Sequence, residues 1–378
     1  MKTVYFDNSA TTFPKPREVG EAVKNAVESC ANPSRGSHIL SKRADERVYD
    51  TRERTAELFD AEAENVVFTQ STTYALNFAI KGLVSRGDHV LIDSFAHNAS
   101  YRPLAALADN GFCTYSVYNA LDPLDDIASK LRKNTTTVIA THHSNITSDT
   151  LPIVEIGKMC AKYGLTFIVD AAQSAGHSEI SVKKYGISAL CVPGHKGLYG
   201  PMGVGALVVN PQASGRTKCA TLIEGGAGIN SADRKMPEEY PERLEAGTLP
   251  LPAICGLGSG IEFVKNTGVM RIAEKMSRLS SAAKEKLESI GGIRVIGRAD
   301  GGVVSFVPGE ASPAECSRYL SENGICTRSG YHCAPLAHKT FGTEKNGTVR
   351  ISFSYFNTES EITYFIRKMH TFMRENNI

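Results

Sequence analysis

Between residues 65 and 209 the chain alternates short apolar runs with longer amphipathic ones, and this rhythm restricts its fold more than any other feature. Residues 65–69, 88–93 and 137–140 read as strands, and 74–83, 101–110 and 153–163 read as helices between and after them. Three more strand-like runs follow at 165–170, 189–193 and 204–209. Such alternation implies an α/β protein: a mostly parallel sheet with helices on both faces. From about residue 251 the pattern changes to a long helical stretch at 270–290, short strands at 303–307 and 349–353, and a charged amphipathic helix at 360–375. The expected organisation is therefore an N-terminal arm (1–15), a large domain (16–250) and a smaller α+β domain (251–378).

Open α/β sheets bind ligands beyond the carboxyl ends of their strands. Thr72 and Thr73, His97, Asn145, Asp170 and Lys196 each fall just after a predicted strand, so five strand ends converge on one site. Lys196 lies among small and apolar residues, in Val192-Pro193-Gly194-His195-Lys196-Gly197-Leu198. An amine held there is poorly solvated, which disfavours its charged form and makes it a better nucleophile toward a carbonyl. Asp170 ends the apolar run Leu165-Thr166-Phe167-Ile168-Val169. A carboxylate buried at such a place needs a cationic partner, and a protonated pyridine nitrogen is one. A reactive lysine with an acidic group for the ring nitrogen is the pairing found at pyridoxal phosphate sites.

Composition narrows the class further. With 378 residues, of which 42% are hydrophobic, two domains with ample cores are expected. A formal net charge of +2 leaves no nucleic-acid footprint. No stretch reads as a signal peptide or membrane span, so a cytoplasmic protein is expected. Nine scattered cysteines without a Cys-x-x-Cys pair suit reduced thiols better than a disulfide framework or a metal site.

Around these residues stand longer motifs: Tyr5-Phe6-Asp7-Asn8-Ser9-Ala10-Thr11-Thr12, Arg35-Gly36-Ser37-His38, His142-His143-Ser144-Asn145 and Glu245-Ala246-Gly247-Thr248. Near the end come Arg328-Ser329-Gly330-Tyr331-His332-Cys333-Ala334-Pro335 and Arg350-Ile351-Ser352-Phe353. In their order and spacing these motifs, almost end to end, resemble the class V aminotransferase group of fold-type I pyridoxal phosphate enzymes. The resemblance is strongest to the cysteine desulfurase and selenocysteine lyase branch with a short active-site loop.

That resemblance implies roles residue by residue. Lys196 would hold pyridoxal 5'-phosphate covalently and shuttle the substrate α-proton, Asp170 would keep the ring nitrogen protonated, and His97 would stack on the ring. Asn145 and Gln173 would lie near the phenolic oxygen. Thr72, Thr73 and His195 would cradle the phosphate, with Thr248 reaching it from a neighbouring subunit of a homodimer. Arg350 would clamp the substrate carboxylate, and His38 and Arg328 are further substrate-site candidates. Cys333, flanked by His332 and near Arg328 as groups able to favour its thiolate, would attack the substrate sulfur. The implied reaction converts L-cysteine to L-alanine and leaves a persulfide on Cys333 for an iron–sulfur scaffold or another sulfur-acceptor protein. A selenocysteine lyase or other C–S lyase uses the same apparatus, and a weakly active cofactor-binding partner in sulfur transfer is the remaining reading.

The chain departs from the family pattern at four places. Tyr74 stands where relatives commonly have glutamate, Ser71 where they have glycine or alanine, and Ser148 where a glycine follows the Ser-Asn pair. Pro193 stands where relatives place a serine or threonine that donates to the phosphate, and proline supplies neither hydroxyl nor N–H.

Overall fold

Every strand of the main sheet sends alternate side chains into two different cores, and this sets the architecture. The computed structural model describes residues 3–33 and 36–376. Arg35 of the Arg35-Gly36-Ser37-His38 motif lies outside the described residues. After β1 (Val4–Tyr5), α1 (Arg17–Ser29) and α2 (Ile39–Phe59) come β2 (Val66–Thr69), α3 (Thr72–Leu83), β3 (His89–Asp93) and α4 (Asn98–Asp109). The chain continues through β4 (Thr114–Tyr118), α5 (Pro123–Lys130), β5 (Thr135–Thr141), α6 (Ile153–Tyr163), β6 (Thr166–Asp170), β7 (Ala189–Pro193) and β8 (Gly205–Val209). These strands form one seven-stranded sheet in the order β2-β8-β7-β6-β5-β3-β4, parallel except that β8 runs against both its neighbours.

Phe167, Val169, Leu190 and Val192 face one core, shared with Phe59, Ile153, Ile156 and Cys160 of the helices on that side. Ile168, Ala189, Cys191 and Leu207 face the other, shared with Leu76, Ile80 and Leu104 of α3 and α4. Strands buried on both faces need unbroken apolar runs, which is why the sequence shows them so plainly. β4 is the exception. It forms the sheet's edge, and Thr114-Tyr115-Ser116-Val117-Tyr118 is mostly part-exposed, so its sequence carries too few apolar residues to announce a strand.

Then follow α7 (Leu251–Thr267), α8 (Val269–Glu288), β9 (Ile293–Ile296), β10 (Val303–Pro308) and α9 (Pro313–Glu322). The chain ends with β11 (Ile325–Cys326), β12 (Arg328–Gly330), α10 (Pro335–Thr340), β13 (Thr348–Ser352) and α11 (Glu359–Glu375). Strands β12-β13-β10-β9 form an antiparallel sheet. Its core joins Phe306, Val349 and Ile351 to Leu279 of α8, Leu320 of α9 and Phe365 of α11.

Helix α7 was expected within the C-terminal unit, but Leu251, Ile254, Leu257 and Ile261 bury in the core of the large sheet, against α1 and α2. In the opposite sense, β1 of the N-terminal arm pairs in parallel with β11, and Val4 and Phe6 enter the C-terminal core. The two portions are thus laced together at both ends. No helix among the described residues is long and apolar enough to cross a membrane.

Candidate active site

The carboxyl ends of β2, β3, β5, β6 and β7 open on one cleft of about 520 Å³, counting its mouth. Lys196, Asp170, His97, Asn145, Gln173, Thr72, Thr73 and His195 all line it, together with Ser71 and Pro193. Glycines let the lysine turn approach its neighbours. A Cβ on Gly197 would lie 2.1 Å from the carbonyl of Ala175, and one on Gly176, at φ +92°, 2.0 Å from that of Gly197. Only residues without a side chain allow the turn of Lys196 to pack on the turn that follows Gln173.

By surface area Lys196 is half-buried, yet protein packs densely around its ammonium. That burial is the main cause pushing its pKa down to about 8, with Arg350 and Arg328 adding to the fall and Asp170 and Asp7 opposing it. Asp170 is buried, and burial raises its pKa; one carboxylate oxygen accepts from the N–H of Ala172 at 2.9 Å. His97 occupies the N-cap of α4, where its Nδ1 accepts from the N–H of Ala99 at 3.0 Å. That bond assigns the proton of the neutral ring to Nε2. Burial, then the surrounding Lys196, Arg350, Arg328 and Arg102, pull the His97 pKa down to about 4, so the imidazole is neutral at pH 7.

Asn145 is the hinge of the site. Ser144 Oγ accepts from the N–H groups of Ile146 and Thr147, both at 3.3 Å, and so turns the chain after β5. Asn145 Nδ2 donates to the carbonyl of His332 at 2.8 Å, and its own carbonyl accepts from Arg350 Nη1 at 3.0 Å. The side chain of Arg350 is 2% exposed; its Nη2 donates to Asp7 Oδ1 at 2.9 Å. In register, Arg328 stands opposite Arg350 on the neighbouring strand.

Cys333 is exposed. Its carbonyl accepts from Asn98 N–H, beside His97, at 2.7 Å, so the loop is pinned to two walls of the cleft. His332 and Cys333 take consecutive left-handed conformations, φ +47° and +58°, which non-glycine residues adopt only when their surroundings hold them there. One expectation needs correcting. His332 turns inward, where its Nε2 lies 3.0 Å from Thr348 Oγ1, and burial, helped by Arg350, His338 and Arg328, pulls its pKa down to about 2. It is neutral and supplies no cation to Cys333.

Arg350, Arg328 and Cys333 are not part of the cleft's lining, and neither are the two remaining candidates, His38 and Thr248. His38 is exposed and caps α2, its Nδ1 accepting from Ser41 N–H at 3.3 Å. Thr248 is exposed and does not line the cleft of its own chain. Glu245 in the same motif is structural. Its buried carboxylate forms a bidentate pair with Arg52, 2.9 Å on each side, and accepts from Phe68 N–H at 2.6 Å.

Sequence reading also missed residues. Asp93, at the end of β3, accepts from Phe95 and Thr141 N–H groups, both at 2.8 Å, and ties two strand ends that carry the site. Burial raises its pKa to about 7. The arm reaches the site too: the carbonyl of His195 accepts from Thr11 Oγ1 at 3.0 Å, Thr12 N–H at 3.1 Å and Lys15 Nζ at 2.7 Å.

The family model for class-V aminotransferases matches residues 4–365. The chain belongs to the class-V aminotransferase family. A probable cysteine desulfurase of Methanothermobacter thermautotrophicus is 34% identical over 95% of this chain and 92% of its own. Another, from Pyrococcus abyssi, is 33% identical over 97% of this chain and 93% of its own. The apo structure of a cysteine desulfurase from Thermococcus onnurineus NA1 matches with a TM-score of 0.91 and 31% identity, over 99% of this chain and 95% of its own.

Class-V aminotransferases are pyridoxal phosphate enzymes, and the cleft fits that group. Thr72 Oγ1, Asn145 Oδ1, His195 Nδ1 and Arg350 Nε are buried without a hydrogen-bond partner among the described residues. Buried polar atoms are nearly always paired, and three of these, on Thr72, Asn145 and His195, line the cleft, which marks it as a place for a polar ligand. Ser71 occupies the N-cap of α3 without making a side-chain cap bond. The first-turn N–H groups beside Thr72 therefore offer an anion site of the kind that suits phosphate.

Proposed function

We propose that the protein is a cysteine desulfurase that converts L-cysteine to L-alanine and retains the sulfur on Cys333. The observation that carries this reading is the pinned loop, which holds an exposed cysteine against the cofactor cleft through the carbonyls of His332 and Cys333. Bound in the cleft, pyridoxal phosphate supplies an electron sink that acidifies the Cα–H of an amino acid and labilises its Cβ–S bond. Thr72, Thr73, Ser71 and His195 hold the phosphate. Asp170 supplies the anion opposite a protonated ring nitrogen, and His97 presents a neutral imidazole to the ring.

Arg350, kept in place by Asp7 and Asn145, retains an unpartnered Nε for a substrate carboxylate. Lys196, with its depressed pKa, takes the α-proton on Nζ and returns it. The Cys333 thiolate then attacks the substrate sulfur. A Sγ–S bond forms as the Cβ–S bond breaks, the electron pair stays with the substrate carbon, and a proton added there yields alanine.

The active unit of this reading is a homodimer in which Thr248, exposed and away from its own cleft, completes the phosphate cradle of the partner. A second protein accepts the sulfur, and the free state of all nine cysteines supports work in the reducing cytoplasm. The test is Cys333→Ala. The variant is expected to bind the cofactor with the wild-type absorbance spectrum and to release no sulfide from cysteine; full retention of sulfide release would remove Cys333 from the reaction.

A further inference from the structure

Three exposed cations lie on the elements that flank or touch the Cys333 loop: Arg102 on α4, Arg328 on β12 and Lys339 on α10. None has an ion pair or side-chain hydrogen bond among the described residues. Arg102 lies one helical turn beyond Asn98, the residue that donates to the Cys333 carbonyl, and so on the same face of α4. Lys339 lies one turn into α10, which starts two residues after Cys333. Arg328 sits on β12 next to Arg350.

The charges that act on His97 at this mouth are all positive: Lys196, Arg350, Arg328 and Arg102. Asp7 is the carboxylate acting on Arg350, and it is engaged in that ion pair. Glu344, exposed, is an acidic residue on the loop side; its backbone carbonyl accepts from Tyr331 Oη at 2.5 Å, and cationic Lys345 follows it. Unpaired cations grouped around one nucleophile produce a field that steers anionic partners and raises their encounter rate.

We propose that this rim docks a thiol-bearing polypeptide whose cysteine is set among acidic residues, and that this polypeptide takes the sulfur from Cys333. The inference rests on the desulfurase reading above. In the transfer the acceptor thiolate attacks the outer sulfur of the Cys333 persulfide. A new S–S bond forms on the acceptor, the old one breaks, and its electron pair returns to Cys333 as thiolate. No outside oxidant or reductant is needed. Arg102 and Lys339 act on the approach of the acceptor and take no part in the chemistry at the cofactor.

The test uses the cofactor-loaded protein and two synthetic peptides, each with a single cysteine, flanked in one by aspartate and glutamate and in the other by lysine. Alanine formation with a small thiol reductant is measured separately from persulfide on the peptide, read by mass spectrometry. The acidic peptide is expected to take sulfur about tenfold faster at low salt. That advantage should shrink as the Debye length falls from about 10 Å at 0.1 M salt to about 3 Å at 1 M. Arg102→Glu combined with Lys339→Glu should erase the preference while alanine formation with the reductant stays at the wild-type rate, because burial, the largest cause holding His97 neutral, is untouched and Arg102 is the least of the charges acting on it. Equal rates for both peptides, or a preference that survives the double charge reversal, overturns the docking proposal while leaving the desulfurase reading intact. No alanine from the wild-type protein with reductant overturns both.

Discussion

The depressed pKa of Lys196 makes a prediction that needs neither cofactor nor substrate. An ordinary lysine amine titrates near 10.5, whereas burial pushes that of Lys196 to about 8. At pH 7 the neutral, nucleophilic fraction rises from about three in ten thousand to about one in ten, a gain of about 300-fold. Competitive acetylation of the cofactor-free protein from neutral to strongly alkaline pH, with the Lys196 peptide quantified by mass spectrometry, reads this directly. Lys196 should reach half-reactivity near pH 8, well below an N-acetyl-lysine standard in the same tube. Arg350→Met removes a charge that lowers the pKa and should move the midpoint up; Asp170→Asn removes one that raises it and should move the midpoint down. Stability carries the matching sign. Between about pH 8 and 10.5 the unfolded chain still holds the proton that the folded chain has lost, so Lys196 adds stability as pH rises through that window. Lys196→Met should flatten that part of the profile. A Lys196 midpoint that coincides with the standard, or a downward shift in Arg350→Met, would refute the electrostatic reasoning.

Other variants probe the surroundings of that amine. Pro193→Ser adds a hydroxyl to the cleft wall and should tighten cofactor binding about tenfold, one hydrogen bond to a charged group being worth at least about 1.5 kcal/mol; an unchanged or weaker dissociation constant in a fluorescence titration counts against it. Asp7→Ala leaves the guanidinium of Arg350 unpaired at a site where its side chain is 2% exposed and that of Asp7 22%. Breaking a fully buried pair costs roughly 3–5 kcal/mol, and the part-exposure of Asp7 brings the expected loss to about 2 kcal/mol in urea unfolding of the cofactor-free protein. Adding Arg350→Met should restore part of that loss, because the buried charge goes with it; additive losses would show that the two side chains are not coupled.

The main sheet and most of the cleft were legible because the same physics wrote both. Strands buried on two faces must be apolar throughout, and their carboxyl ends must gather where the sheet opens, so residues just past such runs, from Thr72 to Lys196, could be placed together from the sequence alone. What escaped had no such signature. Edge strand β4 is part-exposed, and α7 hides its destination because an apolar helix face looks the same whichever core receives it. Lys15 and Asp93 act through the tertiary contacts of a single side chain, which spacing does not encode. Adjacency misled at His332, whose left-handed backbone turns the ring away from the cysteine beside it. At His38 a motif histidine proved to be a helix cap.

Ser148 illustrates how a departure becomes intelligible. It stands at φ +61°, in the left-handed region that glycine occupies without strain. Its hydroxyl accepts from Val303 N–H at 2.8 Å and donates to the Val303 carbonyl at 3.1 Å. Those two bonds hold the strained residue and tie the turn after Asn145 to the C-terminal sheet, which brings Arg350 and the Cys333 loop to the cleft.

The most direct test of the central claim is a single-turnover reaction of the cofactor-loaded protein with L-cysteine and no reductant, followed by mass mapping of every cysteine and assay of alanine. One added sulfur atom on Cys333, matched by an equal amount of alanine, is the predicted result. Alanine formed with Cys333 unmodified and the sulfur on another cysteine, or no alanine at all, would contradict it.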